Sequence, residues 1–287
     1  MKARHKLLLG AGATAAYAFY EPYRYRLTFA RVPVRPGTPP LSILHVSDTH
    51  LRAQDAGRAA WVKSLPHRLG GVPDLVLATG DFIEDNSGVP RAVSVLNALE
   101  ARLGRFYVLG SHDYYLSRFR PPTSYFARHH TPVKAQRADT HALETGLQEK
   151  GWMPLTNSAR VIDSPAGRVR VAGVDDPYLS RHSTNHIKRD PSDGAAIALV
   201  HAPDVVSEWI LAGFDLVLGG HTHGGQVRMP GIGALVTNCD LPTELASGLH
   251  RIGHGWLHVT SGLGAGRFAP IRFACRPEAT LLQLVPG

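Results

Sequence analysis

Five short polar blocks interrupt this chain, and each closes an apolar run of the kind that forms a buried strand. The blocks are Asp48-Thr49-His50, Gly80-Asp81, Gly110-Ser111-His112-Asp113, His201-Ala202 and Gly219-Gly220-His221-Thr222-His223-Gly224. The runs before them cover residues 41–47, 74–79, 105–109, 195–200 and 214–218. Between the runs, residues 58–69, 90–103 and 205–211 repeat apolar side chains at helical spacing. Strand-helix alternation of this kind predicts a largely parallel sheet with helices on its faces. Ligands of such sheets bind beyond the C-terminal strand ends, where all five blocks fall. The pattern occurs twice, so the body reads as two similar halves.

At 287 residues, 44% apolar and 19% charged, the chain is globular and can bury a sizeable core. The net charge of +8 sits mostly at one end. Residues 1–35 hold Lys2, Arg4, Lys6, Arg24, Arg26, Arg31 and Arg35 against Glu21 alone, or +6; the other 252 residues carry 24 basic and 22 acidic side chains, or +2. A body so nearly balanced argues against a nucleic-acid groove. The two cysteines, Cys239 and Cys275, follow no metal-ligand spacing and are either a disulfide or two separate thiols.

The N-terminus is basic over residues 1–6 and apolar over residues 7–20 (LLLGAGATAAYAFY). Fourteen apolar residues are short for a span, which needs about 20. The segment reads as a secretion signal with a small-x-small site at Ala16-Tyr17-Ala18 or a membrane anchor, as an interfacial helix, or as a short helix packed on the domain. Basic residues flank both of its sides, so it gives no orientation. The proline-rich stretch 32–40 reads as a linker, which divides the chain into an attachment segment, 1–40, and a folded domain, 41–287.

Taken singly, most of the blocks have ordinary explanations. Gly80-Asp81 fits a turn or a helix cap, and His201 an isolated structural histidine. Asp48 and His50 lie two apart beyond a strand end, so both can reach one cation. His112 reads as a general acid with Asp113 fixing its tautomer. The Gly-Gly-His-Thr-His-Gly-Gly block is the hardest to explain as core, because glycines there let backbone approach a ligand closely. Hard carboxylate oxygens and imidazoles together point to a pair of divalent metals acting on a phosphate ester. Arg181, His182 and His186, in a polar loop, are weaker candidates for reaching a substrate.

With the blocks in this order, the chain resembles the calcineurin-like metallophosphoesterases, whose pattern runs D-x-H, G-D, G-N-H-D, H and G-H-x-H. The resemblance spans about residues 41–226. Gly262-Leu263-Gly264, Pro270-Ile271-Arg272 and Arg276-Pro277-Glu278 look like the bacterial subgroup of membrane-associated or exported phosphodiesterases. It implies a four-layer αββα sandwich, two central mixed β-sheets flanked by helices. It implies one metal held by Asp48, His50, Asp81 and His223, and a second by Asp81, His201 and His221. The ions would be Mn, Fe, Zn or Co. Water bridging them would attack phosphorus in line, with His112 protonating the leaving oxygen. One position departs: the family asparagine, a second-metal ligand, is Ser111 here, a shorter and poorer ligand.

The expected substrate is a phosphodiester, lipid- or cell-envelope-linked, at a membrane or outside the cell, with the cytoplasmic face also open. A phosphomonoesterase, or a binding protein of weakened catalysis on the same fold, are the alternatives.

Overall fold

A computed structural model describes residues 12–38, 40–119, 135–164, 167–185 and 187–287. Two six-stranded mixed sheets lie face to face. The first has the order β1 (Arg26–Val34), β14 (Glu278–Pro286), β2 (Leu41–Val46), β3 (Leu75–Thr79), β4 (Gly104–Val108), β5 (Met153–Pro154). The second runs β12 (Gly248–Ile252), β13 (Gly255–Val259), β9 (Leu216–Gly219), β8 (Ala195–Leu199), β7 (Gly167–Gly173), β6 (Ser158–Ser164). A two-stranded hairpin, β10 (Arg228–Met229) with β11 (Gly233–Ala234), stands apart. In the first sheet β2 to β5 are mutually parallel, as are β7, β8, β9 and β13 in the second.

The central strands are apolar on both faces because both faces are covered. Alternation along β2 and β3 sends Ile43, Leu75 and Leu77 into a core shared with Val171, Ile197 and Leu218 of the second sheet. It sends Leu44, Val46 and Val76 outward. There they meet Val62 of α2 (Ala56–Lys63), Leu65 of α3 (Leu65–Leu69), Val95 and Leu96 of α4 (Val89–Asn97), and Leu143 and Leu147 of α6 (Thr140–Glu149). On the far side, Val206, Trp209 and Ile210 of α7 (Val206–Leu211) cover Ala198 and Val217. α5 is one turn, Ser111–Tyr114, and α1 covers residues 12–20. The expected layers are present, the helical cover of the second sheet being the thinner.

Three local expectations change. The helix expected over 58–69 breaks at Ser64, because Pro66 has no N–H to continue the ladder. The helix expected to reach 103 stops at Asn97. Beyond it the N–H groups of Arg102 and Leu103 go to the carbonyls of Pro73 and Asp74, at 2.9 and 2.8 Å. The folded body does not wait for Leu41. Residues 26–34, partly read as linker, form edge strand β1, parallel to β14. Arg26 clamps Glu278 at 2.6 Å and Thr28 shares a 2.8 Å hydroxyl bond with Thr280. Pro33 is tolerated there because an edge strand leaves one N–H row unpaired. The excursion expected over 114–137 lies largely outside the described residues.

Candidate metal centre

The topology sets the C-terminal ends of β2, β3 and β4 opposite those of β8 and β9. Asp48, Asp81, Gly110, His201 and His221 each stand two residues beyond a strand end, so both sheets deliver side chains to one place. Backbone hydrogen bonds join the blocks. Asp48 N–H donates to the Gly80 carbonyl and His50 N–H to that of Asp81, both at 2.9 Å, while His221 N–H donates to Asp48 Oδ1 at 3.1 Å. Asp48, His50, Asp81, His221 and His223 all have left-handed φ angles, between 39° and 66°. Non-glycine residues hold that conformation at a cost of order 1 kcal/mol or more each, and such strain gathers at functional sites. Gly110 and Gly220 allow the close packing. A Cβ on Gly110 would overlap Asp81 and His201, and one on Gly220 would overlap Ser47 and Asp48.

The donor atoms form three groups that could hold a cation: Asp48, His50 and His223; His50, Asp81 and His112; Asp81, His201 and His221. His50 Nε2 and His201 Nε2 approach Asp81 Oδ2 at 3.6 and 3.2 Å, and His223 Nε2 approaches Asp48 Oδ1 at 3.8 Å. Rings His50 and His223 lie 5.0 Å apart, and His201 and His221 5.1 Å, one pair for each expected cation.

The outer ring nitrogens are engaged, which sets the tautomers. His50 Nδ1–H donates to Glu84 Oε2 at 2.8 Å, His201 Nδ1–H to the Thr79 carbonyl at 2.7 Å, and His221 Nε2–H to the Asn238 carbonyl at 3.0 Å. The inward Nε2 atoms of His50 and His201 are buried without a hydrogen-bond partner among the described residues. A buried ring nitrogen without a hydrogen-bond partner beside a carboxylate suits a divalent cation, and pinning the far nitrogen is how proteins orient histidine ligands. Behind His223 lies Arg272, fully buried, its guanidinium donating to the carbonyls of Ser261 and Gly264 at 2.7 and 2.6 Å. Cys275 is buried against the His223 carbonyl and Cys239 is half-buried, and both are free thiols.

Burial opposes charge on Asp81, but the neighbouring charges of His201 and His112 overcome it and hold its carboxyl well below the usual range. Burial also works against Glu84, yet its bond to His50 brings it down to about 2. Burial, then the charge of His201, pushes His221 down to about 4, and burial with His50 and Arg272 lowers His223. Those two rings are therefore neutral near pH 7, as metal ligation requires.

His112 sits beside Asp81 and His50, with its N–H donating to Asp81 Oδ1 at 2.8 Å. Asp113 does not orient its ring as expected. The Asp113 carboxylate accepts the N–H groups of Phe82, Gly110 and Ile83, at 2.8, 3.0 and 3.3 Å. The ring is held by Ser117, whose hydroxyl lies 2.8 Å from Nδ1. Ser111 is half-buried at the start of α5, beside His112. Arg181 is occupied by Asp175 at 2.8 Å and lies over the Tyr114 ring; His182 lies 4.0 Å from Glu208, and His186 falls outside the described residues. Sequence reasoning missed Glu84 and Ser117, which carry no spacing signal, and Asp176. Asp176 is fully buried next to this centre, its pKa pushed up to about 7 mainly by burial.

Comparison with known proteins agrees with this geometry. Residues 41–225 match the family model described as calcineurin-like phosphoesterase. The chain is 29% identical to the uncharacterized metallophosphoesterase YkoQ of Bacillus subtilis (strain 168), covering 87% of this chain and 85% of that protein. It is 27% identical to the phosphodiesterase YaeI of Escherichia coli (strain K12), covering 93% and 89%. It is also 27% identical to a transmembrane protein with metallophosphoesterase domain from Bos taurus, covering 91% of this chain and 57% of that one. With the family model spanning most of the body and its five blocks meeting at one point, the chain belongs to the calcineurin-like metallophosphoesterases.

Proposed function

We propose that this protein is a metal-dependent phosphodiesterase. The observation that carries the reading is the convergence on Asp81. Imidazoles from both sheets turn unpartnered Nε2 atoms toward that one carboxylate, and their far nitrogens are already bonded. Asp48, His50, Asp81 and His223 would hold one ion, and Asp81, His201 and His221 a second, with Ser111 beside the second. When bound, the ions supply an activated water and neutralise charge on the phosphoryl oxygens. The chain's own residues do the rest. Glu84, Thr79 and Asn238 fix the imidazoles. Arg272 braces the loop carrying His223 through the carbonyls around it. His112, steered by Ser117, delivers a proton to the departing oxygen.

The diester preference is supported by the name of the relative YaeI. Attachment to a membrane, and a lipid- or envelope-linked substrate, are supported by the basic, apolar N-terminus. Among the described residues no helix is long and apolar enough to cross a membrane.

The test is hydrolysis of bis-p-nitrophenyl phosphate beside p-nitrophenyl phosphate, by the full chain with manganese, with and without chelator. Chelator-sensitive cleavage favouring the diester supports the reading. Preference for the monoester overturns the diester half, and cleavage indifferent to chelator overturns the metal half.

A further inference from the structure

α1 is an apolar helix with little protein around it. Residues 12–16, 19 and 20 are exposed, and only Tyr17 and Ala18 are half-buried. Phe19 and Tyr20 are 58% and 62% exposed. The end of the helix is nonetheless fixed to the body. The Ala18 carbonyl accepts the N–H of Arg272 at 3.0 Å, and the Tyr17 ring packs edge-on against Phe273 with centroids 5.5 Å apart. Phe273 is also joined to Val227 by a parallel bridge, and from Val227 the chain enters the β10–β11 hairpin. That hairpin and its flank expose Met229, Ile232 and Leu235 at 46%, 69% and 52%. Two apolar, exposed elements thus flank one short segment. Neighbouring exposed apolar groups on this scale mark an interaction surface.

Charge selects the partner. Of the seven basic residues in 1–35, Arg26 and Arg35 are neutralised by Glu278 and Asp215. The sequence of this stretch also holds Lys2, Arg4, Lys6, Arg24 and Arg31 against Glu21 alone, an excess that suits an anionic surface. A second copy of the chain would bring the same basic tail against this one.

We infer that α1 and the β10–β11 hairpin together form the face by which the protein rests on an anionic lipid bilayer, with the hairpin tip around Ile232 entering the acyl region. The inference rests on the N-terminal segment being a membrane-attachment segment and adds a second, folded contact to it. It also fixes orientation. Gln226, three residues past His223, accepts the Phe273 N–H at 3.0 Å, so docking holds the metal-centre loop at headgroup level.

The experiment uses the full chain carrying Ile232→Trp, with phosphatidylcholine vesicles, with and without phosphatidylglycerol, whose acyl chains are brominated. The expected result is sedimentation with the phosphatidylglycerol vesicles and quenching of the added indole beyond that of the four native tryptophans. Met229→Asp with Ile232→Asp, shown folded by circular dichroism, should bind at least about tenfold more weakly. Vesicle binding without extra quenching, and undiminished in the aspartate variant, overturns the hairpin contact and leaves the N-terminal reading standing. No binding to either vesicle overturns both.

Discussion

Glu84 Oε2 accepts a 2.8 Å hydrogen bond from His50 Nδ1, and both side chains are buried. The bond turns His50 Nε2 inward to face Asp81 Oδ2, 3.6 Å away. Glu84 Oε1 also accepts the N–H of Arg267 at 2.9 Å, so the carboxylate ties the metal side to the loop that follows Gly264.

Glu84→Gln should therefore weaken metal binding by about 10- to 100-fold, the usual loss when a partner behind a histidine ligand is changed. Titration of the chelated protein with manganese, followed calorimetrically, measures it. Affinity equal to the parent protein's would mean that His50 is oriented without Glu84.

Asp113 and Ser117 should separate cleanly. Asp113→Ala strips an acceptor from three buried N–H groups and should cost about 3 kcal/mol in urea denaturation. Ser117→Ala should leave stability within about 0.5 kcal/mol, as is usual for substitutions outside the core. It should instead displace the pH profile of kcat, because it frees the His112 ring. A Ser117→Ala profile superimposable on the parent's would remove Ser117 from proton transfer.

The two sheets are also joined by a buried histidine pair, His45 Nδ1 to His258 Nδ1 at 3.0 Å, with His45 Nε2 bonded to the Thr79 hydroxyl at 2.9 Å. Burial, then its partner's charge, depresses His45 well below the usual histidine range; burial, then His250, takes His258 to about 3. The folded state thus keeps both neutral, while the unfolded chain protonates them below about 6.5. Their contribution to stability is complete above that pH and is lost as pH falls. Replacing both by leucine should flatten the acid slope of stability by up to about 2.7 kcal/mol per pH unit. Urea midpoints at pH 7 and pH 5.5 test this, and an unchanged slope would contradict it.

The strand ends were legible because a fully buried parallel strand is a continuous apolar run, and the polar residues after it have nowhere else to be. The placing of Asp48, Asp81 and the Gly-His-Thr-His block beyond strand ends followed from that; their grouping around two cations came from the family resemblance. β1 was not legible. Its burial alternates weakly, Pro33 argues against a strand, and its partner lies 252 residues away at Glu278. Asp113 was misread because adjacency in sequence suggested contact, whereas the turn of α5 points its carboxylate back at Gly110 and Phe82. Glu84 and Ser117 act only across folded space, and no spacing in the chain marks them.

The central claim is that Asp81 serves two cations at once. The most direct measurement is metal content per chain, by mass spectrometry after manganese loading and desalting, for the parent protein and for Asp81→Ala with its fold checked by circular dichroism. Two ions in the parent and a loss at both positions in the variant is the predicted result. A folded Asp81→Ala that retains two ions, or a parent that never binds more than one, would contradict it.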